Sequence, residues 1–192
     1  MLQRVYNRLM GLAGHRHALW WLAAVSFIES SVFPIPPDVM LIPMVLADRR
    51  KAWFYAGIAT LSSVAGGWLG YAIGAVLFET VGRPIIEFYH LGAGFAAFQA
   101  KFNEYGAWIV LIKGMTPIPF KLVTIASGVT RLDPLVFTLA SIGSRAIRFF
   151  LVAGLLYFFG EPIRDFIERR LTLVTTAFVV ALVGGFVVLR FV

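Results

Sequence analysis

Four prolines and an aspartate interrupt the otherwise apolar stretch SSVFPIPPDVMLIP at residues 30 to 43, and few folds tolerate such an interruption. A helix cannot run straight through Pro34, Pro36 and Pro37. The apolar run from Ala18 to Ala47 is thereby cut into two arms of about fifteen residues, each short of the ~20 needed to cross a bilayer. Two such arms around a proline turn predict a re-entrant hairpin over residues 18–47 that enters and leaves on one side. The charges agree. A hairpin returns Arg49, Arg50 and Lys51 to the face that carries Arg4, Arg8 and Arg16, whereas a single crossing would set the two groups on opposite faces, against the positive-inside tendency.

Composition places the hairpin in a membrane protein. Hydrophobic residues make up 59% of the chain and charged residues 14%, far from the balance of a soluble domain. The apolar stretches lack the two-residue alternation of an outer-membrane barrel, so helices with internally bonded backbones are expected: an all-α polytopic fold. The formal net charge of +7 is spread around apolar segments rather than gathered on one soluble face, which excludes a nucleic-acid partner. Cysteine is absent, and His15, His17 and His90 lie outside the apolar spans, so no metal centre or cofactor motif is read. His15-x-His17 reads as an interfacial pair. Residues 1–17 set Leu2, Val5, Leu9 and Leu12 on one helical side with arginines elsewhere, which predicts an amphipathic helix lying in the interface. No small-x-small cleavage site precedes Glu29, so this basic start is read as retained rather than as a removed leader.

A full span follows at 53–78, in which Gly66, Gly70 and Gly74 recur every fourth position and form a smooth stripe for close helix packing. Residues 79–105 mix charges with Phe95, Phe98 and Phe102 and predict an interfacial helical connector. A second broken apolar stretch then appears, YGAWIVLIKGMTPIPFKLVTIASGV at 105–129, with the same Pro-Ile-Pro tripeptide 83 residues on, from position 34 to position 117. A polar loop and another full span, 134–160, complete the parallel with the first half. One span separates the two hairpins, so the second enters from the opposite face. The chain reads as an inverted repeat of two re-entrant hairpins, each followed by a transmembrane helix, with a final span at 172–190. That is the architecture of a transporter. On this path nine Lys or Arg fall on the cytoplasmic side and four, Arg83, Lys101, Arg131 and Arg190, on the other.

Six ionisable groups remain at membrane depth: Glu29, Asp38, Lys113, Lys121, Arg145 and Arg148. Unpaired, they would cost roughly 15–20 kcal/mol together, so they must be paired, wet or both. Superposing the halves puts Lys121 on Asp38 and Lys113 one position from Glu29. Hairpins meeting tip to tip would therefore bring acid to base near the midplane. Lys121 follows a proline turn at a helix start, where a cation is misplaced unless it helps free N–H groups hold an anion such as phosphate. Asp38 is open to two readings, helix cap or functional acid. Glu29 stands at the end of its arm, where a negative charge needs a proton or a basic partner. Arg145 and Arg148 lie three apart on one helix, roughly 16–21 Å beyond Pro134. They either clamp carbonyls freed by proline or help hold an anionic headgroup.

The order of FIESSVFPIPPD, GGWLGYAIG, KGMTPIPFK and an arginine-bearing span resembles the DedA family, related to the SNARE-associated Golgi or VTT-domain proteins, and within it the YqaA-like branch. The resemblance covers about residues 18–160. It implies a multi-pass protein of the bacterial inner membrane that moves lipids between leaflets, polyprenyl phosphates or phospholipids, with proton coupling in some members. The family's acidic pair falls on Glu29 and Asp38. Its basic pair, usually arginines, falls on Lys113 and Lys121, which forgo bidentate phosphate geometry. A flippase or scramblase is the leading expectation, with Glu29 and Asp38 handling protons and Lys113, Lys121, Arg145 and Arg148 binding an anionic lipid. The alternative is a proton-coupled carrier or channel for a small anionic solute. An enzyme is not expected, since the spans hold no histidine and no paired aspartates of a two-metal transferase. The oligomeric state is left open, a homo-oligomer included.

Overall fold

In the computed structural model, residues 17–31, 36–115 and 120–169 are described. The expected interfacial helix at 1–17, apart from its last residue, the second Pro-Ile-Pro turn, Pro34 and the expected span at 172–190 lie outside them.

Two helices flank the first proline break, α1 (Ala18–Ser31) and α2 (Asp38–Ala47). Pro37 takes the cap position of α2 with φ −60°, where its ring suits the turn and its missing N–H costs no bond. A 3₁₀ turn at Arg49–Lys51 leads into α3 (Ala52–Leu77), which continues through a π-helical turn, Phe78–Gly82, into α4 (Arg83–Phe88). The second half follows with α5 (Gly92–Met115), α6 (Phe120–Val129) and the long α7 (Pro134–Arg169). Asp133 starts α7 by accepting the N–H groups of Leu135 and Val136 at 2.9 Å each, and proline at the first helical position suits that start. Non-helical dihedrals at Phe159 break α7 just before Gly160 and Pro162. Among the described residues every regular element is helical, in line with the all-α expectation.

One boundary differs. The sequence suggests a change at residue 105 between connector and hairpin arm, yet α5 runs unbroken from 92 to 115. Gly106 lies inside it, buried against the end of the Leu132 side chain, which would have to shift for a larger residue.

Helix α3 is the spine, with α1, α6 and α7 packed along it. At its start, Ala18 and Leu22 of α1, Leu46 of α2, and Ala52 and Ala56 share one apolar cluster with Phe149 and Ala153 of α7. Toward its end, Val110 of α5, Phe120 and Val123 of α6, and Phe137 of α7 form a second. The glycine stripe does what its spacing suggests. A Cβ at Gly66 would strike the Phe27 carbonyl, and one at Gly74 the Ile125 carbonyl, while Gly128 of α6 faces the Tyr71 carbonyl in return. Backbone thus lies on backbone, as small residues allow between membrane helices.

Two apolar helical stretches are long enough to cross a bilayer, Arg49–Phe88 with 40 residues and Pro134–Gly160 with 27. Their outer faces stay apolar: Leu61 is 67% exposed, Leu135 67% and Leu139 61%. Water would not tolerate so continuous an apolar surface, and hydrocarbon does. The chain is a membrane protein.

Two helix ends carry a residue other than glycine in the left-handed region, His90 at φ 56° after α4 and Arg131 at φ 52° after α6. Each closes a pair of bonds, Leu91 N–H to Ile86 O with His90 N–H to Glu87 O, and Leu132 N–H to Ser127 O with Arg131 N–H to Gly128 O. Glycine is the usual occupant of that position. His90→Gly is therefore expected to raise the unfolding free energy by about 0.5–1 kcal/mol, the relief of left-handed strain less the added chain entropy. Thermal melting in detergent micelles reads it out.

Candidate functional site

The ends of α1 and α5 and the starts of α2 and α6 converge on the middle of α3 and α7. Small hydroxyl residues make the approach close. Ser30 Oγ of α1 lies 2.6 Å from Ser63 Oγ of α3 and 3.2 Å from Glu29 Oε2. Thr124 Oγ1 of α6 donates to the Ser30 carbonyl at 3.1 Å and lies 2.9 Å from the Lys121 carbonyl. A hydroxyl that returns to the backbone in this way satisfies itself without widening the helix contact.

Arg145 occupies the centre and is fully buried. Its Nη2 donates to the Gly114 carbonyl at 2.7 Å, in the last turn of α5. Its Nη1 lies 3.8 Å from Glu29 Oε2 of α1, and its guanidinium sits 3.9 Å from the Phe120 ring centroid at the start of α6. One side chain therefore touches α1, α5 and α6. A guanidinium can do this because its planar fork pairs with oxygens at its edge and stacks on a ring with its face. One turn along, Arg148 Nη2 donates to Asp38 Oδ2 at 2.6 Å, with the two side chains 23% and 17% exposed. Asp38 caps nothing: Pro37 holds the cap position and makes no side-chain cap bond, and Asp38 stands inside the first turn.

The two carboxylates are thus taken by the arginines of α7, where the superposed halves suggest lysines. The reason is the facing of the helices. Val110 and Gly114 turn inward on α5, which sends Lys113 outward to an exposed position in the last turn. Phe120, Val123, Thr124 and Ser127 are the buried face of α6, and Lys121 stands off that face, half-buried. Of the six charges expected at membrane depth, Glu29 and Arg145 come together and so do Asp38 and Arg148, and the spacing along the chain does not say which base meets which acid. Phe120, Ser30, Ser63 and Thr124 are missed by sequence reasoning. Only the serine pair in the glycine-rich span hints at them.

Polar capacity is left over around Arg145. Its Nε and Nη1, Asp38 Oδ1, and the hydroxyls of Ser26, Ser141 and Ser144 are buried without a hydrogen-bond partner among the described residues. Ser141, Ser144 and Arg145 share a face of α7, and Ser26, Glu29 and Ser30 share one of α1, both at the three- and four-residue spacing of a helix.

Comparison with known proteins adds to this geometry. A family model described as the VTT domain matches residues 35–158. An uncharacterized protein of Haemophilus influenzae is 35% identical over 186 residues, covering 97% of this chain and 96% of the relative. An uncharacterized protein of Histophilus somni is 34% identical over 186 residues, covering 97% of each. No solved structure matches.

Proposed function

We propose that this chain, which belongs to the VTT-domain family of the DedA/SNARE-associated membrane proteins, moves an anionic lipid such as a polyprenyl phosphate or phospholipid between the leaflets of a bacterial inner membrane. The observation that carries the reading is Arg145, a fully buried base that joins Glu29 at one proline break to Gly114 and Phe120 at the other. Two broken helical pairs that approach α3 from opposite ends and meet at a charged centre fit opposed re-entrant hairpins in a multi-pass inverted repeat. Backbone interrupted at that depth is tolerated where it lines a polar cavity. The unpartnered hydroxyls and guanidinium nitrogens support such a cavity, since buried polar groups in stable proteins find protein, water or ligand.

Within this reading, Glu29 and Asp38 exchange protons, and their arginine partners are released or held accordingly. Arg145 braces the hairpins, while Arg148, the more exposed of the pair, and Lys113 and Lys121 offer charge to a phosphate. The six groups sum to a charge of +2, which an anionic headgroup balances. Transport rather than catalysis is the proposal, and the acid–base pairs that tie α7 to α1 and α2 support it.

The test is leaflet exchange of labelled polyprenyl phosphate and phospholipid in reconstituted vesicles, with and without a pH gradient. Lys121→Ala and Glu29→Gln are each expected to slow exchange about tenfold or more, the cost of one charge-assisted contact. Unchanged exchange removes their roles. Uptake of a soluble anion without lipid movement would favour the small-solute carrier instead.

A further inference from the structure

The π-helical turn at Phe78–Gly82 carries a second polar–apolar junction, distinct from the charged centre. Glu79 lies in that turn and is held from two sides, by Arg83 at 2.9 Å one turn on and by Arg131 just past the end of α6. The two arginine side chains remain 53% and 61% exposed. Each guanidinium has five N–H donors, so each keeps donors to spare. The neighbouring acid, Asp133, is committed to the start of α7 through Leu135 and Val136.

Directly beside this cluster lies a groove of about 350 Å³ lined by Leu77, Phe78, Val81, Ile85, Phe95 and Val129, among other apolar residues. Its volume is at the lower end of ligand sites. The Phe78 and Phe95 rings stack at 4.6 Å and form one wall. The groove begins at Leu77, where the 26-residue helix α3 ends, and that helix at 1.5 Å per residue already exceeds the ~30 Å hydrocarbon core. A groove at that end of the span, beside exposed arginines, fits the level where acyl chain gives way to headgroup. The π-turn makes it: one extra residue in the turn shifts the side chains out of helical register and turns Glu79 toward Arg131, and such turns are frequent at functional sites.

We infer that this groove and its arginine pair form a docking site for a single membrane phospholipid. An acyl chain lies along Phe78, Val81, Ile85 and Phe95, and the phosphate bridges Arg83 and Arg131. A headgroup bound there stands beside the start of α7 and the end of α6, on one face of the membrane only. Its role as a loading point rests on the lipid-carrier reading. The docking itself does not.

The experiment uses the full chain in detergent micelles, titrated with dioleoyl-phosphatidylglycerol and followed by native mass spectrometry. Wild type is expected to retain one lipid molecule about tenfold more tightly than further ones, the worth of one added charge-assisted contact. Arg83→Gln with Arg131→Gln removes the phosphate contact, and Val81→Trp fills the groove without touching the ion cluster. Each is expected to abolish that preference. Dioleoylglycerol, which has the chains but no phosphate, and glycerol phosphate, which has the reverse, should both fail to compete. Retention unchanged in the Val81→Trp variant overturns the site. So does a shift from dimer to monomer in that variant with lipid retention intact, which would make the groove a contact between copies. Vesicle exchange measured in parallel separates the two ideas: specific retention with no leaflet exchange sinks the carrier reading and leaves the docking site standing.

Discussion

Arg145→Met is expected to lower the unfolding free energy by roughly 3–5 kcal/mol, because it strands a buried carboxylate as well as removing a base. Glu29 is 9% exposed and its ion pair is with Arg145. The Gly114 carbonyl loses its donor as well, which costs about 1–3 kcal/mol when no substitute reaches it. Denaturation in micelles should show the single variant far less stable than the double variant Glu29→Gln with Arg145→Met, in which no charge is left without a partner. Equal losses in the two would mean that the Glu29–Arg145 contact contributes nothing, and the bracing role would be withdrawn. Arg145→Lys should fall between them, since a lysine ammonium cannot serve Gly114, Glu29 and the Phe120 ring together.

Gly74→Ala carries the second large effect, a loss of about 3 kcal/mol at the upper end of overpacking penalties. The added methyl meets the Ile125 carbonyl, its carbon and its Cα, all backbone. A side chain can rotate away from such an intruder, but a helix has to move as a whole. Gly128 against Tyr71 seals the same contact from the other side, so α6 cannot tilt to make room. Gly57 provides the control. Nothing lies within 4 Å of a Cβ built there, and Gly57→Ala is expected to stabilise by about 0.5–1 kcal/mol through helix propensity alone. Comparable melting temperatures for the two variants would refute the close-packing account.

Much of this architecture is legible in local chemistry. Pro36 and Pro37 in succession do not let α1 run on into α2, so that break is written in the residues themselves, whereas the single Pro43 is carried inside α2. Glycines at every fourth position mark a close contact, and Asp133 before Pro134 begins α7. Charges within the apolar segments mark where Glu29 meets Arg145 and Asp38 meets Arg148. What local chemistry withholds is the third dimension. The halves superpose in a way that suggests lysine opposite aspartate, but partner choice depends on which way α5 and α6 turn about their axes, and that follows from the packing of Val110 and Phe120 rather than from any spacing along the chain. The unbroken run of α5 through residue 105 is hidden for a similar reason. Its charges suggest an interfacial connector, while Phe102, Gly106 and Val110 recur every fourth position as one buried helical face that carries through residue 105.

The link between Asp38 and Arg148 spans 110 residues of chain. At a synthesis rate of about 5–20 residues per second, the first carboxylates wait roughly 5–20 s before their bases are made. During that interval the newborn first half holds both acids without their arginine partners. Retained hydration or other basic groups must carry them through, so the charged centre is completed only once α7 has been made.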